Sequence, residues 1–276
     1  MNFNVVNLRA LRSGGHGDLF IGQRSDTSES VVVKFLREYH LPYSREAFGR
    51  EVRILSRKLH GLVPILGSNI TAEQPFYVMP FVKGGALSPY AGRLDDNQLE
   101  AVATDLARTL AILHAANDVH GDIKPDNILV TQEGQLQVAD PLGNGSIFTI
   151  LFSQNRGGTP GYWAPEIRAG GSISRAGDVH SYGATLYHLL TGRRPHDGQH
   201  LDPTSEGYKN TPRIREIIAA CCQSDPNARP TMGEVLRILN GERWEGIQVE
   251  RKQRQQFVVS IFAVALLVLL GRKLIR

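Results

Sequence analysis

One run of eleven residues constrains this chain more than any other: His120-Gly121-Asp122-Ile123-Lys124-Pro125-Asp126-Asn127-Ile128-Leu129-Val130. It sets a carboxylate, a cation two residues on and an amide five residues on, directly before an apolar stretch that reads as a strand. Each residue alone has an ordinary structural explanation; the spacing of all of them together carries the information. With 276 residues, 41% of them hydrophobic, the chain can bury a substantial core in one or two lobes around such a segment.

The run resembles the catalytic loop of protein kinases. Phosphoryl transfer from ATP needs a carboxylate that orients and deprotonates the attacking hydroxyl, a cation near the transferring phosphate and an amide oxygen that holds a metal. By that resemblance Asp122 takes the substrate proton, Lys124 lies by the phosphate, Asn127 holds a metal and His120 braces the loop. Lys124 favours serine/threonine over tyrosine substrates. Gly121 stands where the family commonly has an arginine that clamps a phosphorylated activation loop. Activity is therefore expected not to depend strongly on such phosphorylation.

The resemblance covers about residues 8–240 and implies an α+β, bilobal kinase-like fold, with a β-rich small lobe over 1–82 and a helical large lobe over 83–240. Leu11 to Gly22 reads LRSGGHGDLFIG and is similar to the glycine-rich loop, with Gly14, Gly15 and Gly17 where phosphates would lie and Leu19 at the adenine-packing position. Glycine lets backbone N–H groups approach phosphate with no Cβ in the way, although a hairpin turn would use the same residues. Arg12 departs from the pattern at the first glycine position. Lys34, in the strand run Val31–Phe35, suits the lysine that contacts the α- and β-phosphates. Its ionic partner is expected on the following helix, Ser44 to Leu59, where Phe48, Val52, Leu55 and Leu59 keep helical spacing. Glu51 is preferred over Glu46 as that partner; the alternative is a local pair with arginines of its own helix.

Phe76 to Leu87 looks like the last small-lobe strand and the hinge, with Met79 as gatekeeper and Pro80 and Val82 offering backbone groups to adenine. Pro80 lacks an N–H but keeps its carbonyl. From Asp95 the pattern turns helical, with Leu99, Val102, Leu106, Leu110 and Leu113 in one stripe. Gln137 to Gly143 reads QVADPLG in the place of the metal-binding segment. Asp140 keeps a carboxylate for the metal, but Pro141 and Leu142 replace the family's Phe and Gly, and Leu142 is expected to fill the pocket that Phe would occupy. The segment from Asp140 to Glu166 ends in Gly158-Thr159-Pro160-Gly161-Tyr162-Trp163-Ala164-Pro165-Glu166, similar to the G-T-x-x-Y-x-A-P-E of serine/threonine kinases. That likeness pairs Glu166 with Arg229, sets Thr159 near Asp122 and Lys124, and has Asp178 brace the catalytic loop. Implied cofactors are ATP and Mg²⁺ or Mn²⁺.

The tail carries a different signal. Residues 251–276 hold six basic and no acidic side chains, which leaves 25 basic against 27 acidic in the first 250. The body is near neutral, which argues against nucleic acid as the main partner. Phe257 to Leu270, FVVSIFAVALLVLL, is apolar all round. It spans about 21 Å as a helix against a bilayer core of about 30 Å, and extending it over 257–275 with snorkelling Arg272 and Lys273 brings it near the needed length. The expectation is a single-pass transmembrane tail anchor over 257–275 behind a polar, basic juxtamembrane linker over 241–256. The kinase body would lie in the cytoplasm, since it needs ATP, and no signal peptide is expected at the N-terminus. Cys221 and Cys222 are expected as reduced thiols on or near a helix.

Three function classes compete. The first is a membrane-anchored serine/threonine kinase acting on proteins, with self-association and trans-autophosphorylation at Ser146, Thr149, Ser153 or Thr159. The second is a membrane-anchored pseudokinase that binds nucleotide or partners, which Arg12, Pro141 and Leu142 favour. The third is a small-molecule phosphotransferase, which shares H-G-D…N but lacks the A-P-E segment and its arginine.

Overall fold

The structure is a computed structural model that describes residues 4–13, 17–142, 160–202 and 211–256. The first element group is a five-stranded antiparallel sheet in the order β1-β2-β3-β5-β4, from β1 (Val5–Ser13), β2 (Gly17–Arg24), β3 (Ser30–Leu36), β4 (Gly67–Asn69) and β5 (Phe76–Pro80). Strand alternation sorts its two faces. Val31 and Val33 join Val78 in an outer cluster, whereas Val32, Leu36, Tyr77 and Met79 enter the main core. Lys34 follows the period of Val32 and Leu36, so a lone cation lies on the inner face of an otherwise apolar strand. Helix α1 (Pro42–Ser56) crosses that face and buries Phe48, Glu51, Val52, Ile54 and Leu55. Glu51 thereby shares the buried stripe instead of the solvated one.

The second lobe is helical. Helix α2 (Asp96–Ala115) opens with a reciprocal cap, in which Asp95 Oδ1 accepts from the Gln98 N–H and Gln98 Oε1 from the Asp95 N–H. Its stripe of Leu99, Val102, Leu106, Leu110 and Leu113 is buried, as the sequence periodicity predicts. The loop after α2 leads into the short hairpin β6 (Ile128–Val130) and β7 (Leu136–Val138). Beyond lie α3 (Pro165–Arg168), the almost wholly buried α4 (Arg175–Thr191), α5 (Pro212–Cys221) and α6 (Met232–Leu239). One apolar core runs through both lobes, from Val32 and Phe48 to Leu110, Ile123 and Val138. Cys221 ends α5, and both cysteines are free thiols.

The stretch expected as a juxtamembrane linker contains a helical run over 244–256. Its Trp244 and Ile247 are buried in the main core, the Trp244 N–H donates to Glu216 Oε1 at 2.7 Å, and Arg251 reaches Glu234 at 3.4 Å. No helix among the described residues is long and apolar enough to cross a membrane. The expected span 257–275 lies outside the described residues, as do Gly14, Gly15, Ser146, Thr149, Ser153 and Thr159.

Candidate active site

Two polar networks face each other where the lobes meet. The first joins three elements. Lys34 Nζ of β3 lies 2.6 Å from Glu51 Oε1 of α1 and 2.9 Å from Asp140 Oδ1, two residues past β7. Tyr77 of β5, paired with Lys34 across the sheet, donates its hydroxyl to the same Glu51 Oε1 at 2.8 Å. Lys34, Glu51 and Tyr77 are buried, so their charges and dipoles have little else to answer them. Burial pushes the Lys34 ammonium towards neutrality, but the carboxylates of Asp140 and Glu51 outweigh it and hold the group charged well above the ordinary lysine range. Glu46, the alternative partner, is exposed and pairs with Arg50 on its own helix.

Burial pushes the Glu51 carboxyl up to about 6, against the pull of Lys34. Lowering the pH through about 6 is expected to protonate Glu51, loosen Lys34 and raise KM for ATP, and Glu51→Gln should flatten that profile. The effect on stability has the opposite sign. The folded value lies above the ordinary 4.5, so ionisation of Glu51 costs stability as pH rises between 4.5 and about 6. A melting temperature that falls along with nucleotide affinity in that window would contradict the assignment to Glu51.

The second network is the loop over 120–127. Asp122 Oδ2 accepts from Lys124 Nζ at 2.6 Å and from Asn127 Nδ2 at 2.8 Å, and Asn127 Nδ2 also donates to the Asp122 carbonyl at 2.8 Å. With Nδ2 committed to Asp122, the oxygen of the Asn127 amide is the atom it can offer a cation. Asp178 of α4, 1% exposed, accepts from the backbone N–H groups of His120 and Gly121, both at 2.7 Å, and its Oδ2 meets His114 Nε2 at 2.9 Å. His120 lies 2.9 Å through Nε2 from the Ala139 carbonyl, while the Asp122 N–H donates to its Nδ1 at 3.2 Å. Nε2 must then carry the proton, and burial, which lowers the pKa of His120, suits that neutral tautomer.

Gly121 takes φ +83, and a Cβ there would come within 3.0 Å of Ile173 and 3.3 Å of the Leu142 Cβ. An arginine at this position would be strained before its guanidinium reached anything. Asp140 itself sits at φ +59, a conformation that costs a non-glycine residue about 1 kcal/mol or more. This turn places its carboxylate against Lys34 ahead of Pro141. Leu142, the residue expected in the pocket of the family's Phe, follows that turn. Its N–H donates to the His120 carbonyl at 2.7 Å, and its side chain packs with Val119, Trp163, Ala164, Ile167 and Ile173.

Of the nucleotide-side candidates, Gly17 opens β2 against the Lys34 stem, where a Cβ would meet the Phe35 carbonyl at 2.6 Å. Leu19 pairs with Lys34 across the sheet, Met79 is buried beside Tyr77, and Pro80 ends β5. The Val82 carbonyl accepts from the Gly85 N–H at 3.2 Å. In the large lobe Arg229, 2% exposed, binds Glu166 through two bonds of 2.7 and 2.8 Å. Among the described residues no cluster of three or more His, Cys, Asp or Glu side chains is placed to hold a metal alone. The Asp140 carboxylate and the Asn127 amide oxygen still fit Mg²⁺, which characteristically takes one or two protein oxygens and completes its shell from phosphate and water. Sequence reasoning missed Tyr77, His114 and Asp118; only Tyr77 left a trace, as an aromatic two residues from Met79 in one strand.

A protein kinase domain model matches residues 5–239. The chain is 29% identical to the LRR receptor kinase SERK2 of Oryza sativa subsp. japonica, over 93% of this chain and 49% of that protein. It is 32% identical to the probable serine/threonine-protein kinase PkwA of Thermomonospora curvata, over 85% of this chain and 34% of that one. It is 28% identical to the probable serine/threonine-protein kinase drkD of Dictyostelium discoideum, over 87% and 20%. The chain thus spans half or less of the length of these curated relatives.

Proposed function

The chain belongs to the protein kinase family, and from that premise we propose that it transfers the γ-phosphate of ATP to serine and threonine hydroxyls of proteins. The observation that carries the proposal is the shared geometry of the two networks, with Asp122 tied to Lys124 and Asn127 on one side and Lys34 tied to Glu51 and Asp140 on the other. Lys34, fixed by two carboxylates, holds the α- and β-phosphates. Asp122, oriented by Lys124 and Asn127 through Oδ2, presents its other oxygen to the substrate hydroxyl and takes its proton as the phosphate arrives. Lys124 is within reach of the charge that develops on the transferring group. Asp140 and Asn127 would hold Mg²⁺ or Mn²⁺, which would supply positive charge to offset that of the phosphates.

Serine/threonine selectivity is supported by Lys124 and by the named relatives. The Glu166–Arg229 pair supports a protein over a small-molecule substrate. Incubating the full chain with γ-labelled ATP, Mg²⁺ and a generic basic protein, followed by phosphoamino-acid analysis, tests this. Label in phosphoserine or phosphothreonine supports it, and label in phosphotyrosine or in no protein contradicts it. Because Gly121 offers no cation to a phosphorylated segment, the phosphatase-treated protein is expected to keep most of its activity. A loss above about tenfold in kcat would contradict that expectation. The apolar run over 257–270 and its basic flanks support a single membrane pass over 257–275, with the kinase body on the ATP-containing side and self-phosphorylation favoured by crowding at the surface. Membranes washed with carbonate should retain the full chain.

A further inference from the structure

A buried carboxylate that phosphoryl transfer does not use lies at the root of the catalytic loop. Asp118, 3% exposed at its side chain, follows the turn that ends α2, where Asn117 takes φ +62. Its partners come from the other lobe. Arg53 of α1 donates through Nη2 to Oδ1 at 3.0 Å, Arg57 at the end of α1 donates to Oδ2, and Arg57 Nη1 also donates to the Ala116 carbonyl at 2.9 Å. Arg53 and Arg57 are one helical turn apart, so they present one face of α1 to one carboxylate. Glu51 lies two residues before Arg53 on the same helix, and Asp118 lies four residues before Asp122. A few residues past α1, backbone bonds of 2.7 Å from the Val138 N–H to the Gly61 carbonyl and of 3.0 Å from the Val63 N–H to the Val138 carbonyl fasten the chain beside Asp140.

We propose that Asp118, Arg53 and Arg57 are positioning residues that hold α1 where Glu51 reaches Lys34. The ion pair is a side-chain tie between α1, which carries Glu51, and the segment that leads into the loop carrying Asp122. A buried carboxylate costs free energy unless paired, and this one is paired only while α1 keeps its observed position. The helix is thereby held in place by two of its own arginines and needs no phosphorylated segment. The paired arginines also complement the C-terminal end of the α1 dipole, but that role would be filled as well by cations reaching solvent, and would not call for a buried acid about 60 residues away.

This inference rests on the kinase reading, and its test has a readout that does not depend on turnover. In the full chain, Asp118→Asn is expected to speed amide hydrogen exchange in α1 about tenfold while leaving α4 unchanged, and to raise KM for ATP about tenfold with a smaller change in kcat. Removing both arginines (Arg53→Ala with Arg57→Ala) should give the same pair of effects and add little to Asp118→Asn, because all three act through one contact. The conservative pair Arg53→Lys with Arg57→Lys should recover most of the loss. A lowered melting temperature with α1 exchange and KM for ATP both unchanged would overturn the proposal and leave Asp118 a merely structural acid. Should Asp118→Asn fail to fold, the half-exposed arginines still carry the comparison. A wild-type chain that transfers no phosphate would contradict the kinase reading alone, since α1 exchange and nucleotide affinity would still decide the role of the clamp.

Discussion

Replacing Asp122 by Ala is expected to lower kcat by about 10³-fold while leaving affinity for ATP-Mg²⁺ within a few-fold of the wild type. The size reflects what a positioned general base contributes, about 10²–10⁴-fold. The split reflects the geometry. Asp122 is bound to Lys124 and Asn127 and stands outside the Lys34–Glu51–Asp140 network, so its loss removes the proposed interaction with the reacting hydroxyl and spares the contacts proposed to hold nucleotide. Asp140→Ala should show the complementary pattern, since it removes both the proposed metal ligand and a partner of Lys34, and both kcat and nucleotide affinity are expected to fall. Steady-state kinetics paired with calorimetric ATP-Mg²⁺ binding read the two patterns apart. Equal losses in both parameters for Asp122→Ala would mean that the loop had collapsed, and would remove the basis for calling it the base.

The second large effect concerns stability. Arg229 has no exposed side-chain surface, and it binds Glu166 at two points as well as the carbonyls of Gln223, Ala176 and Ser224. It ties α3, the first turn of α4 and the turn after α5 into one knot. Arg229→Ala takes a fully buried cation away from these acceptors, of which Glu166 is 27% exposed, and is expected to cost about 3 kcal/mol in chemical denaturation. Lysine cannot reproduce a two-point grip, so Arg229→Lys should recover only part of that. Burial pushes the Glu166 carboxyl up, but the bonds from Arg229 hold it below the ordinary 4.5. A carboxylate with a lowered folded value contributes stability above its unfolded pKa and loses it as pH falls, so the gap between wild type and Arg229→Ala should narrow below about pH 4.5. A cost under about 1 kcal/mol, the range of an exposed ion pair, would contradict this role for Arg229.

The parts of the site legible in the sequence are those fixed by local spacing. Asp122, Lys124 and Asn127 fall within six residues of one loop, and Lys34 and Glu51 each stand out as a charge on an apolar face whose period is readable. The rest depends on contacts between distant segments. Tyr77 reads as one more aromatic in a strand until the register sets it opposite Lys34. Asp118 reads as an acid in a turn until burial and two arginines some 60 residues away give it a partner. Gly121 is visible as a departure from the common pattern, but only its φ of +83 and the nearness of Ile173 explain why no side chain fits. The surroundings of Leu142 are hidden for a related reason. The turn at Asp140 directs Leu142 towards Trp163 and Ile173, and a backbone turn with positive φ at a non-glycine residue leaves no mark in the sequence. The basic stretch after residue 240 reads as a spacer because its charges dominate its composition, whereas Trp244 and Ile247 bury against the core.

The central claim is that this chain transfers phosphate although Pro141 and Leu142 come directly after Asp140, the residue proposed to hold the metal. The most direct measurement is incorporation of label from γ-labelled ATP into a generic basic protein by the full chain in Mg²⁺, beside its Asp122→Ala and Asp140→Ala variants. Time-dependent label with the wild type, lost in both variants, is the expected result. Binding of ATP-Mg²⁺ by the wild type with no more label than either variant would contradict it, and would make the chain a nucleotide-binding pseudokinase.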